Sequence, residues 1–159
     1  MLPLILFIML VLANGAPVIA CKLAPGLWPQ PVDGGRLWRD QRPLFGNSKT
    51  WRGMVSGTLS CALFSVLVGL GVWFGFWFGL LALGGDLLSS FIKRRLGMAA
   101  SSRALGLDQI PEALIPMVFA VVWLKLPLWL ALLVVVMFVA ANIGFSPVLY
   151  RLGIRRHPH

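Results

Sequence analysis

From Met54 to Gly85 the chain carries no charged side chain, and that run decides most of what the chain can become. At ~1.5 Å of rise per residue, a helix of that length overshoots a hydrocarbon core ~30 Å thick, so the run must cross, turn and return. Gly69, Gly71 and Gly75, together with Trp73, place the turn near its middle. Ala113–Tyr150 reads the same way, broken only at Lys125-Leu126-Pro127, and Met1–Cys21 is long enough for a single crossing. The first segment lacks the basic flank of a signal peptide and is read as a span. An all-α polytopic membrane domain over 1–159 follows. Its spans are predicted at about 2–21, 54–72, 75–93, 109–124 and 127–149, with loops 22–53 and 94–108.

Composition agrees. Apolar residues make up 58% of the chain and charged ones 12%, where soluble domains carry about half and about a quarter. Every lysine and arginine except Lys125 falls on one predicted side: Lys22, Arg36, Arg39, Arg42, Lys49 and Arg52 in the first loop, Lys93, Arg94, Arg95 and Arg103 in the second, and Arg151, Arg155 and Arg156 in the tail. The positive-inside rule makes that side cytoplasmic, so the amino end is outside and the carboxyl end inside. Trp73, Trp77, Trp123 and Trp129 fall near the outer boundary, and Trp28, Trp38 and Trp51 near the inner one, as aromatic belts do. A net charge of +9 at a membrane suits anionic lipid or a polyphosphate ligand, and no nucleic-acid partner is expected.

Some chemistries are excluded. The histidines, His157 and His159, sit in the last three residues, so histidine catalysis and haem or zinc ligation are closed to the body of the chain. Cys21 and Cys61 form no Cys-x-x-Cys pair and read as small buried hydrophobes. A metal, if used, is a hard ion held by oxygen.

Asp86 ends the charge-free run. An acid in hydrocarbon costs roughly 2.5–3.5 kcal/mol on insertion scales, which points to a function and a nearby partner. On a helix, Asp86, Ser89, Ser90 and Lys93 share one face, followed by Arg94 and Arg95. Before the second span stands Gly46-Asn47-Ser48-Lys49-Thr50-Trp51-Arg52-Gly53, where free N–H groups and a helix dipole favour phosphate. It is not a P-loop, and it also reads as a capped helix start with topology-setting cations. Asp108 and Glu112 flank Pro111 at the start of the fourth span, where the dipole alone favours acids. Asn14 and Asn142 suit hydrogen bonds between helices or a polar pocket. Several cations and two or three carboxylates beside lipid suit a reaction between a nucleoside triphosphate and a lipid phosphate. A non-catalytic carrier or scaffold binding anionic lipid is the other reading.

Asn14-Gly15-Ala16-Pro17, the 46–53 block, Gly85-Asp86 through Ser90-Phe91-Ile92-Lys93-Arg94-Arg95, and Leu107-Asp108-Gln109, taken in that order, resemble the CDP-archaeol synthase family. That family is similar to the phosphatidate cytidylyltransferases. The resemblance covers almost the whole chain. It implies a five-span enzyme of the cell membrane with a cytoplasm-facing site. Such an enzyme joins CTP and a lipid phosphate, with magnesium, into a CDP-lipid and pyrophosphate. By matching positions, Asn47, Ser48, Lys49, Thr50 and Arg52 would hold nucleotide phosphates, while Ser90, Lys93 and Arg94 would line the phosphate path. Asp86 and Asp108 would hold magnesium and, with Lys93, serve catalysis. Glu112 departs from the family pattern.

Overall fold

The computed structural model describes residues 1–99, 104 and 106–151, with side chains as far as residue 144. Arg103, Arg155, Arg156, His157 and His159 lie outside the described residues, as does the side chain of Arg151. Among the described residues there are five helices: α1 (Leu2–Leu23), α2 (Trp51–Leu67), α3 (Val72–Arg95), α4 (Gln109–Leu124) and α5 (Leu128–Arg151). Only isolated β-bridges, Pro31 to Thr50 and Leu37 to Pro43, occur among the described residues. The predicted all-α class and the five helices are present; α1 and α3 are long and apolar enough to cross a membrane, and α4 is shorter.

Several boundaries move for local reasons. Helix α2 starts at Trp51 rather than 54, because extended Thr50 caps it and its hydroxyl accepts the Gly53 N–H at 3.3 Å. The helix stops at Leu67 rather than 72. Gly69 and Gly71 have φ of 78° and 85°, a region open to glycine, and Ser65 Oγ donates to the Gly71 carbonyl at 2.7 Å across the turn. Gly75, expected in that turn, lies inside α3. There a Cβ would collide with the Cys61 carbonyl and the Ser65 side chain of α2. Small residues at this contact let two helices approach closely, as apolar surroundings demand.

Each helix packs on its neighbours in chain order, and α5 returns to α1. The buried face of α1 is Leu6, Met9, Leu10 and Ala13; that of α3 is Phe74, Phe78 and Ala82; that of α4 is Ala113, Met117 and Ala120. These positions recur at three- and four-residue spacing, one stripe per helix. Val134, Val135 and Phe138 of α5 complete the core. Large apolar side chains such as Leu63, Leu67, Val118, Val122 and Val136 face outward, the arrangement for a bundle solvated by lipid. Because successive helices reverse direction, α1 and α3 end where α2 and α4 begin. That end carries the polar residues.

Candidate functional site

The chain between α1 and α2 is folded against this end by its own side chains. Asp33 is buried, and its carboxylate accepts the N–H groups of Gly35 at 3.0 Å, Phe45 at 2.9 Å and Gly46 at 3.0 Å. Burial alone pushes the Asp33 carboxyl up. The N–H groups of Phe45, Gly46 and Gly35 outweigh it and hold the carboxyl below its usual value. Val32 N donates to the Lys49 carbonyl at 2.8 Å and Trp51 N to that of Gln30 at 3.2 Å, so Lys49 stands at a two-sided joint.

Residues 36–44 form a hairpin, with Trp38 N donating to the Arg42 carbonyl at 2.8 Å and Leu44 N to that of Arg36 at 3.2 Å. Two arginines clamp it to the last turn of α3. Arg42 Nη1 donates to the Arg95 carbonyl at 2.9 Å, and Arg95 Nη2 returns to the Pro43 carbonyl at 2.6 Å. Arg95 also pairs with Asp40 and lies over the Phe91 ring, 5.0 Å from its centroid, while Trp38 meets Phe91 edge-on. Carbonyls at a helix end lack intrahelical donors, and Arg42 supplies one at the end of α3.

Asp33→Ala frees three N–H groups at once and should open 33–46 to limited proteolysis without unfolding the helices. Wild-type cleavage rates in this loop would remove Asp33 from its support. Because the folded carboxyl titrates below its ordinary value of 3.8, its contribution is complete above that pH. It is lost as pH falls below 3.8 through the folded value, so protection should be flat at neutral pH and fail only in strong acid.

The helices supply the opposing charges. Lys49 Nζ donates to Asp86 Oδ1 at 2.7 Å and Oδ2 at 2.6 Å, joining the loop to α3. Lys93 Nζ meets Asp108 Oδ1 at 2.6 Å, joining α3 to the start of α4. The other oxygen of Asp108 accepts the Ala104 N–H at 2.9 Å, and Gln109 Oε1 accepts that of Gly106 at 2.8 Å, so this turn is held from both sides. Gly85 sets the spacing: a Cβ there would run into the Pro111 carbonyl and sit 2.8 Å from Glu112 Cα. That close approach brings Glu112 in beside Asp86.

Glu112 is buried and within electrostatic reach of Asp86, Lys49 and Asp108, with the Asn14 side chain against it. Asn14 also donates to the Leu10 carbonyl in its own helix at 2.9 Å, whereas Asn142 is seen only to donate to Phe138 O at 3.2 Å. Lys49 and Asp86 are each about a quarter exposed, 23% and 26% by side chain, so the site opens outward at this end of the bundle.

Of the residues expected here, Lys49, Asp86, Lys93 and Asp108 come together. Asn47 and Ser48 are exposed on the turn that leads into Lys49. Ser90 is buried on α3; buried Arg94 donates to the Ala99 carbonyl at 2.7 Å. Thr50 and Arg52 are engaged elsewhere. Thr50 caps α2. Buried Arg52 donates to the carbonyls of Ala24 at 2.9 Å, Pro25 at 2.7 Å and Leu27 at 3.4 Å, and to Cys21 Sγ at 3.1 Å. Its cation thus ties the start of α2 to the segment just past α1, near the negative end of that helix's dipole. Asp33, Arg42 and the cradle at Gly85 were not found from sequence. An Asp before Gly34-Gly35 is a turn signal that could have flagged the first.

The donor set suits a hard divalent cation. Asp86 and Asp108 offer carboxylate oxygens that already face positive charge. Among the described residues no group of three or more acidic, histidine or cysteine side chains closes a cation site alone. One or two carboxylates, with phosphate oxygens and water completing the shell, is the magnesium pattern.

The CarS-like family described as CDP-archaeol synthase matches residues 1–74 and 64–159, which together span the chain. The chain belongs to the CDP-archaeol synthase family. It is 31% identical over 157 residues to the CDP-archaeol synthase of Pyrococcus horikoshii, covering 92% of this chain and 89% of that one. Identity rises to 41% over 107 residues with the Pyrococcus furiosus protein of that name and 43% over 108 residues with that of Pyrococcus abyssi. Those two alignments take in 61% of this chain each, and only 60% and 61% of the relatives' own lengths. A solved structure, described as an intramembrane enzyme for archaeal membrane lipid biosynthesis, superposes with a TM-score of 0.60 at 29% identity. That match covers 86% of this chain and 92% of the other.

Proposed function

We propose that this chain is a multi-pass membrane cytidylyltransferase that joins CTP to a lipid phosphate, giving a CDP-lipid and pyrophosphate. The observation that carries the reading is the meeting of Lys49–Asp86 and Lys93–Asp108 at one end of the bundle. Five crossings with the amino end outside would put that end on the cytoplasmic side, where CTP is available. The family's name and its relatives favour an archaeal-type diether glycerol phosphate; a diacyl phosphatidate presents the same phosphate to the same groups.

In the reaction a lipid phosphate oxygen bonds to the α-phosphorus of CTP and the bond between that phosphorus and the bridging α–β oxygen breaks. Pyrophosphate leaves with the bond's electrons. The attacking oxygen is already anionic, so no general base is needed; charge neutralisation and in-line placement are. On this reading Lys49, on the loop, would meet the triphosphate, and Lys93 and Arg94, both buried on α3, would neutralise the lipid phosphate. Asn47 and Ser48 offer exposed polar groups beside Lys49, and Ser90 a hydroxyl beside Lys93. Thr50 and Arg52 serve the same function indirectly by fixing the joint that carries Lys49. Magnesium held by Asp86 and Asp108 would neutralise charge on the triphosphate and on the departing pyrophosphate.

Purified protein given labelled CTP, magnesium and matched ether- and ester-linked lipid phosphates should form a CDP-lipid, faster with the ether lipid. Equal rates would overturn the tail preference. Inactivity with both lipids, in conditions where a known cytidylyltransferase works, would overturn the enzymatic reading.

A further inference from the structure

Both oxygens of Asp86 are taken by one ammonium. Lys49 Nζ donates to them at 2.7 and 2.6 Å, so a divalent cation approaching Asp86 meets that ammonium's charge and competes with it for the same two oxygens. The pair Lys93–Asp108 is built differently. Lys93 projects from a helix, is 9% exposed and uses one oxygen of Asp108, whose other oxygen holds the Ala104 N–H. Lys49 stands at the end of a turn behind exposed Asn47 and Ser48 and is 23% exposed. A lysine on a flexible stem, with rotatable donors, can leave one anion for another as an arginine fork cannot.

Resting on the cytidylyltransferase reading, we propose that Lys49 is an exchangeable counter-ion: it guards Asp86 until a triphosphate takes its ammonium, and its departure admits the metal. A metal arriving alone would strand the ammonium against a divalent charge. A triphosphate arriving alone would draw the lysine away and leave Asp86 an unpaired, partly buried charge. Arriving together, each ligand removes the penalty of the other. Metal and nucleotide therefore bind as a unit, and the Asp86 site discriminates against free divalent cations. Lys49 is thereby a positioning and selectivity residue as well as a phosphate contact.

The consequence has an unusual sign: removing Lys49 weakens the hold on CTP and tightens the hold on the metal. The test is a manganese titration of the full chain in detergent, without nucleotide, followed by electron paramagnetic resonance. Lys49→Met should bind manganese about tenfold more tightly than wild type, within the range usual for coupled sites, and Asp86→Asn should lose the site. If Lys49→Met binds no more tightly while Asp86→Asn loses manganese, the exchange is wrong and the metal reading stands. If Asp86→Asn binds manganese like wild type, the metal reading falls and takes the exchange with it. The wild-type chain gives an independent check, read as acetylation of Lys49 by mass spectrometry: magnesium alone should leave the rate unchanged, because the guarded site turns a free cation away, and CTP with magnesium should suppress it. A rate raised by magnesium alone, or indifferent to CTP with magnesium, would overturn the exchange.

Discussion

Asp86→Asn should lower kcat by about a hundred- to a thousandfold while the bundle stays folded. The substitution keeps the size of the side chain and removes its charge, so on the proposed reading the site would lose its main means of holding a cation against the triphosphate. Asparagine fills the same space, and Asp86 is a quarter exposed. Its loss should cost stability only about 1–3 kcal/mol, the scale of a charged hydrogen bond. Turnover and thermal unfolding should therefore separate. A variant that keeps wild-type kcat removes Asp86 from the site.

Gly85→Ala tests the same site without touching a charge. An added Cβ meets the Pro111 carbonyl and carbon and the Glu112 Cα, all backbone, and no side chain can move aside to admit it. The start of α4 must shift, carrying Asp108 and Glu112 away from Asp86. A displacement on the order of 1 Å costs about a hundredfold in catalysis where reacting groups must be aligned. Gly84→Ala is the matched control, since nothing lies within 4 Å of a Cβ there. The account expects the first variant to be nearly inactive and the second near wild type. Equal activities would mean that the α3–α4 contact does not set the site's geometry.

Helix number and class were legible because uninterrupted apolar runs longer than a bilayer leave few alternatives, and the acids stood out because charge in such runs is costly. Residues with two physical uses were not. Glycine marks a turn and also a close helix contact; Gly69 and Gly71 have the first use and Gly75 the second, and only the partner helix distinguishes them. Arg52 sits in a block that looks made for phosphate, yet the carbonyls it serves come from the segment just past α1, 25 to 28 positions away in sequence. Thr50 is a cap by its local pattern, and giving that pattern more weight would have placed the start of α2 correctly. Glu112 was masked by the dipole argument that excuses any acid at a helix start. Its burial beside Asp86 depends on Gly85 in another helix, which no local pattern encodes.

The central claim is that charged side chains from one loop and two helices direct α-phosphoryl transfer to lipid. CTP labelled at the α-phosphorus in one sample and the γ-phosphorus in another, incubated with the chain, magnesium and an ether lipid phosphate, tests it most directly. The account predicts α-label in the lipid, with γ-label recovered as pyrophosphate in equal amount and both lost in Asp86→Asn. Transfer of γ-label to lipid, or release of label with none reaching lipid, would contradict it.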